Sequence, residues 1–337
     1  MKHADPPAVS VLMPAYNALP YLPEAVESVL NQNFRDFEFL VVNDGSTDGT
    51  GAVLDDYAAA DPRVRVIHRE NGGYTSALNL LIDQTRGEFV ARMDADDIAW
   101  PDRFEKQVTF LQEHPQVVAV GGAVWTIDSD GDRISPGRRA SDHHEILAGL
   151  LGEPSHSGHM YHPTVMMRSK SLRAVGGYDP AMEPAEDLDL WLRLADTGRL
   201  ANLSEIVLDY RFHFSSVSST RRNRQRAAAE RAVRAARERR GLGWPPPVGW
   251  RGRTASESGQ RARIVRLASK AGQWETAHKH LAVILDKSNS DSSVSRWERL
   301  ELQVRVASPW ARQLLDSVSR GRRGLSRAAR AVVRRVL

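Results

Sequence analysis

No cysteine occurs in the 337 residues, which excludes a disulfide scaffold, a cysteine-ligated zinc site and a thiol nucleophile. No run approaches the ~20 apolar residues that a membrane-spanning helix needs. The opening stretch MKHADPPAVSVLMPAY also lacks the continuous apolar segment of a signal peptide. A cytoplasmic protein, or one peripheral at the inner face of the plasma membrane, is expected. Glycine-rich phosphate loops are missing too. The first strand-to-helix turn reads Pro14-Ala15-Tyr16-Asn17, and no Gly-x-x-x-x-Gly-Lys-Ser/Thr occurs, so dinucleotide hydride transfer and P-loop hydrolysis are demoted. What is present is ample apolar material, 41% of the chain against 26% charged, enough for a substantial core.

The net charge of +4 conceals a division. Residues 1–220 hold 18 Lys and Arg against 33 Asp and Glu, a net of −15, and residues 221–337 hold 28 against 9, a net of +19. An acidic globular part followed by a basic region that meets an anionic partner is the expected organisation.

Within the acidic part, apolar runs alternate with helical periodicity. Strands are predicted at Ala8–Met13, Phe37–Val42, Val64–Ile67 and Glu88–Met93. Between them lie helices over Tyr21–Gln32, about 48–60, and the stretch carrying Ala77, Leu78, Leu81 and Ile82. Such alternation implies an α/β fold with a mostly parallel sheet covered on both faces. Ligands of such sheets sit at the carboxyl ends of the strands. The polar clusters fall there: Tyr16-Asn17, Asn43-Asp44, Arg69–Gly73 and Asp94–Asp97. Farther on, a helix is predicted over Phe104–His114, strands over Val117–Trp125, His162–Arg168 and Ile206–Phe212, and a helix over Asp187–Asp196.

Asp94-Ala95-Asp96-Asp97 carries the sharpest chemistry. Carboxylates one residue apart after a strand can approach a single hard cation on diphosphate oxygens, as Mg²⁺ and Mn²⁺ are commonly held. Such a cation would neutralise a departing diphosphate. An acidic turn capping the next helix is the plainer reading of the tetrapeptide alone. The ordered series VSVLMPAYN, VVNDGSTDGT, NGG, FVARMDADDIAWPDR and AEDLDLWLR decides between them, because it resembles the family 2 glycosyltransferases of the GT-A fold over roughly residues 8–213.

That resemblance implies roles. Asp44 matches the acid that accepts the N3–H of a uracil-type base. Pro14, Ala15 and Tyr16 match the loop around the nucleoside, with Asn71, Gly73 and Asp94 also on the nucleotide. Asp96 matches the principal metal ligand, Asp97 a helper or cap, and His213 a histidine near the diphosphate; with Asp94 and Asp96 it completes the expected ligands for Mg²⁺ or Mn²⁺. Asp187 matches the base of inverting members, and Glu186 is its competitor. The implied reaction is transfer of one sugar from a nucleotide-diphosphate sugar, UDP-type, to a saccharide or lipid-linked acceptor in cell-surface polysaccharide biosynthesis. Two departures stand out. The family's Ala-Arg-Asn after the glycine turn is here Ala77-Leu78-Asn79, so an arginine contact to the donor falls to Arg69 or Arg92. The Gln-x-x-Arg-Trp signature of processive synthases is absent, which favours one sugar per encounter. His156, His159 and His162, spaced by three, tempt a zinc reading, but His162-Pro163 matches a family segment near the acceptor cleft.

The expected division is a catalytic domain over 1–220, a basic helix and Pro/Gly-rich linker over 221–255, and a helical basic region over 256–337. In Leu325–Leu337, Leu325, Ala328, Ala329, Val332 and Val336 share one helical face and Arg323, Arg327, Arg330 and Arg334 line another, the pattern of a basic helix on an anionic membrane. A solvated helix against the acidic part is the alternative. Nucleic-acid binding is not expected, since no reading module is recognisable. Two other functions stay open: a catalytically silent sugar-nucleotide or protein-binding module, and a sugar nucleotidyltransferase.

Overall fold

The structure, a computed structural model, describes residues 5–153, 159–213, 222–243, 256–286, 294 and 296–307. His156, most of the Pro/Gly-rich linker and the basic helix expected over Leu325–Leu337 lie outside them. The described residues form two compact units. The first takes in those up to Trp125, Gly137–Arg211 and the helix after residue 221; the second takes in Thr126–Pro136, Phe212, His213 and the helices after residue 255.

The expected α/β alternation is found. Strands β1 (Val9–Ala15), β2 (Phe37–Asp44), β3 (Val64–Arg69) and β4 (Phe89–Arg92) pair in parallel in the order β3-β2-β1-β4. Helices α1 (Leu22–Leu30), α2 (Thr50–Ala60) and α3 (Tyr74–Gln84) connect them. Strands β1 and β2 are buried along their whole lengths, and their side chains alternate between two cores. Val11, Met13, Phe39 and Val41 go to one, Leu12, Leu40 and Val42 to the other. Each such side chain contributes roughly 1.5–3 kcal/mol of burial.

Beyond β4 the sheet continues with antiparallel strands, β4 pairing β8 (Met166–Arg168) and β8 pairing β6 (Val117–Ile127). Strand β9 (Arg199–Arg211) follows, paired with the short β5 (Ile98–Ala99). Where a strand over His162–Arg168 was expected, His162–Thr164 is a 3-10 turn and only Met166–Arg168 is strand. Pro163 has no N–H for a ladder, which accounts for the turn. Strand β9 begins seven residues before the expected Ile206, since Leu200 and Ala201 are buried although polar residues interrupt the run after them.

Helix α7 (Glu186–Leu194) buries Leu188, Leu190, Trp191, Leu192 and Leu194 in the core that holds Leu12, Leu40 and Val42. The helix Arg222–Arg239, α8 here, adds Ala228, Ala229, Ala232 and Ala236 to that core. By its contacts this arginine-rich helix groups with the first unit. In the second unit, α9 (Glu257–Ala271) opens on Ser256, whose Oγ accepts from the Gly259 N–H at 3.2 Å, and closes on Gly272 at φ +79°. It packs against α10 (Trp274–Leu285) and α11 (Arg296–Ala307) around Val265, Ala268, Leu281 and Leu302.

Candidate active site

Register places the polar ends of the parallel strands side by side. Asn43 lies opposite Ala15 and Asp44 opposite Arg69. Asp44 is buried, and its Oδ1 accepts from Arg69 Nε at 2.6 Å and from the Gly72 N–H at 3.0 Å, while Oδ2 accepts from the Gly73 N–H at 3.0 Å. Arg69 also donates to Gly73 O and Ser76 Oγ, both at 3.0 Å. Asp44 is thus the post on which the Asn71–Gly73 turn hangs, and among the described residues one acceptor position on Oδ2 remains. Gly73, at φ +91°, and the exposed Asn71 form the turn itself.

The first loop is fastened to its neighbour. Asn17 Oδ1 accepts from the Thr47 N–H at 2.8 Å, and the Asn17 N–H donates to Ser46 Oγ at 3.0 Å. Pro14 and Ala15 are buried at the end of β1, whereas Tyr16 is 55% exposed, a large ring held in solvent. An exposed aromatic face beside backbone turns suits a planar ligand.

Strand β4 delivers the acids. Asp94, Asp96 and Asp97 each offer a carboxylate oxygen within 4.8 Å of the others. Asp97 is buried; its Oδ1 accepts from the Arg211 N–H at 2.8 Å, and its Oδ2 has no hydrogen-bond partner among the described residues. Burial, then the charges of Asp96 and Asp94, push its carboxyl well above the usual range. Arg211 also donates from Nε to Asp96 O at 2.8 Å, which ties the acidic loop to β9.

Arg92, the residue that ends β4, is buried and paired through Nη2 with Asp94. Its guanidinium lies 5.5 Å from the centre of the Tyr74 ring. Beneath it, the buried Arg103 donates from Nη2 to Arg92 O at 2.7 Å and from Nε to Gln107 Oε1 at 3.1 Å. Burial, helped by the Arg92 charge, pulls Arg103 down to about 9.

At the start of α7, Glu186 is buried and Asp187 half-buried. Burial, then the neighbouring Asp187 charge, pushes Glu186 up to about 8, and Arg92 acts the other way. Burial raises Asp187 as well, opposed by the Leu188 N–H it accepts at 2.7 Å and by the charges of His159 and Arg92. His162 is held well below its ordinary value by burial, and its ring faces Tyr178 Oη at 2.7 Å.

The acidic loop and the tip of α7 therefore belong to one unit and interact through Arg92. His213 follows β9 and counts with the second unit. The donor set of the acidic loop, hard carboxylate oxygens with one buried and unpartnered, suits a divalent cation such as Mg²⁺ or Mn²⁺. A second acidic group, Asp128, Asp130 and Asp132, has the same compactness. There the Lys279 ammonium contacts all three at 2.5–2.7 Å, so a side-chain cation already serves it. The sequence singled out the carboxylates and named Arg92 only as a candidate donor contact. Tyr74, Tyr178 and Arg103 went unread; their neighbours, Gly73 and Thr75, Gly177 and Asp179, Asp102 and Phe104, form no pattern that marks them.

Residues 10–176 match the family described as Glycosyl transferase family 2. An uncharacterized glycosyltransferase of Haemophilus influenzae is 32% identical over 238 residues, 68% of this chain and 72% of that protein. EpsE of Bacillus subtilis, by its name a glycosyltransferase, is 35% identical over 210 residues, 61% of this chain and 73% of that one. Among solved structures, the mannosyltransferase PcManGT of Pyrobaculum calidifontis, in complex with GDP-Man and Mn²⁺, superposes with a TM-score of 0.53 at 18% identity, covering 92% of this chain and 88% of that one. At that identity the likeness is one of fold.

Proposed function

The chain belongs to glycosyl transferase family 2 and is a glycosyltransferase, and from that premise we propose that it moves one sugar from a nucleotide-diphosphate sugar, UDP-type, to a hydroxyl of a saccharide or lipid-linked acceptor with inversion. The observation that carries this reading is the compact carboxylate set Asp94, Asp96 and Asp97 at the end of β4, with Asp97 Oδ2 buried and without a partner among the described residues.

Of the two adjacent carboxyls, both raised by burial, Asp187 is assigned the role of base and Glu186 is its competitor. The Asp187 carboxylate takes the proton of the acceptor hydroxyl as that oxygen bonds to the anomeric carbon and the bond from that carbon to the diphosphate oxygen breaks. General-base assistance of this kind contributes ~10²–10⁴-fold. Asp94 and Asp96, with Asp97 Oδ2, would hold Mg²⁺ or Mn²⁺. When bound, such a cation supplies neutralisation of the diphosphate leaving group. The open acceptor position on Asp44 Oδ2 is offered to the base N–H, and Tyr16 supplies a ring beside it. The basic pattern over Leu325–Leu337 supports an acceptor met at a membrane surface.

The test is release of nucleoside diphosphate from UDP- and GDP-sugars with Mn²⁺ and saccharide acceptors. Wild type should release it, Asp96→Ala should not, and Asp187→Asn should be slower by ~10²-fold or more while still binding donor. Nucleotide binding without release from any donor would make the chain a silent binding module instead.

A further inference from the structure

Helix α7 begins without a cap of its own. The residue before it is Ala185, which has no polar side chain, and its first turn crowds three acids, Glu186, Asp187 and Asp189. Acids suit a helix N-terminus, but they repel one another and do not fix where the tip points. The preceding segment does. The Ala185 N–H donates to Met182 O at 2.7 Å, which joins the tip to the 3-10 turn Pro180–Met182. That segment in turn hangs on α3. Asn79 takes the Tyr178 backbone from both sides, its Oδ1 accepting from the N–H at 2.9 Å and its Nδ2 donating to the carbonyl at 2.8 Å. Gly177, at φ +69°, leaves room for this grip, since a Cβ there would lie 2.8 Å from Asn79 Oδ1. One turn earlier on α3, the buried Thr75 donates from Oγ1 to Glu183 Oε2 at 2.8 Å, and its N–H reaches the same oxygen at 3.3 Å.

Both ends of the segment 178–183 are thus fixed to one packed helix. Helix α3 buries Ala77, Leu78, Leu81 and Ile82 in the core, and its first residue, Tyr74, follows Gly73, whose N–H Asp44 holds. Its first turn therefore connects the Asn71–Gly73 turn with the strap that ends in Glu186 and Asp187. A carboxylate that takes a proton from a hydroxyl works only within hydrogen-bond reach, and misplacement by ~1 Å can cost ~10²-fold. We propose, on the reading of Asp187 as base given above, that Thr75, Asn79 and Glu183 are positioning residues of the transfer reaction. They set the Asp187 carboxylate relative to the nucleotide turn, and they act through Asp187.

A double-mutant cycle on the full chain with Mn²⁺ tests this. The readouts are kcat, as nucleoside diphosphate released from a sugar nucleotide that the wild type turns over, and the affinity for UDP and GDP by calorimetry. Thr75→Val removes the hydroxyl and keeps the shape. It should lower kcat by ~10–10²-fold while the nucleoside diphosphate binds within about twofold of wild type. Thr75→Ser, which keeps the hydroxyl, should stay within about twofold of the wild-type kcat. In an Asp187→Asn background, Thr75→Val should cost nothing further, because residues that act as one unit are not additive. Should Thr75→Val not fold, Glu183→Ala, at a half-buried position, carries the same expectations for kcat, affinity and the cycle. An equal loss in both backgrounds, or nucleotide affinity falling in step with kcat, would make the contact a general support of the fold and overturn the proposal. An unchanged kcat overturns it as well. No turnover by wild type, or Asp187→Asn as fast as wild type, would instead strike the reading of Asp187 as base, and the proposal would fall with it.

Discussion

Glu186 and Asp187 are adjacent carboxyls at one helix tip, both raised by burial. Because burial raises Glu186 to about 8, the folded state holds a proton there that the unfolded chain gives up near its ordinary value. Stability should therefore fall as pH rises from about 5 towards 8, wherever the folded form binds the extra proton. Thermal melts of Glu186→Gln should show a flatter dependence across that window; an unchanged slope would place the titration elsewhere. For Asp187→Asn, steady-state kinetics should show kcat lower by ~10²–10⁴-fold with donor affinity retained. The carboxylates were legible in the sequence as acids beside a strand end and a helix start. Arg92 was less so. Its importance comes from α7, a distant element whose approach no local pattern encodes, and the same holds for Tyr178 against His162.

Among the elements, the turns after β2 and β3 act as one piece. Gly45 has φ +76°, and a Cβ there would lie 2.7 Å from the Asn71 backbone nitrogen. Gly45→Ala should therefore cost more than the ~1 kcal/mol of an unstrained exchange, read by denaturant unfolding, and should weaken nucleotide binding by displacing the Asn71–Gly73 turn. Wild-type stability in this variant would show that the two turns are not pressed together. Strands β1, β2 and β4 were readable because each is buried on both faces and so nearly uniformly apolar; β3 has Arg65 and His68 exposed between apolar residues. Strand β5, two residues long, has no period to read. It is specified by pairing with Asp209 and Leu208 of β9, a contact remote in sequence.

Over the whole molecule, the division of charge was visible in composition, but the boundaries of the two units were not. The turn Asp128–Asp132 reads locally as a simple loop, yet it belongs with the basic second unit, where Lys279 bonds its acids and His280 Nε2 lies 3.0 Å from Asp128 Oδ2. These contacts hold the Asp128 carboxyl far below its usual range despite burial. Lys279→Met should destabilise the second unit by about 1–3 kcal/mol, since a partly exposed ion pair contributes less than a buried one. Hydrogen exchange should quicken in α9 and α10 and stay unchanged in β1–β4; equal quickening in both would contradict the division into units. The proposed function requires that the Asp94–Asp97 loop and the Asp44 turn together form a metal-dependent nucleotide site. That requirement is tested most directly by thermal shifts with UDP, dTDP and GDP, each with Mn²⁺ and with EDTA, in wild type and Asp96→Ala. A ligand that binds only the folded state raises the melting temperature. The expected result is a rise from one nucleotide family that needs Mn²⁺ and vanishes in Asp96→Ala. A rise equally large in EDTA and in Asp96→Ala, or none from any nucleotide at millimolar concentration in folded protein, would contradict that requirement.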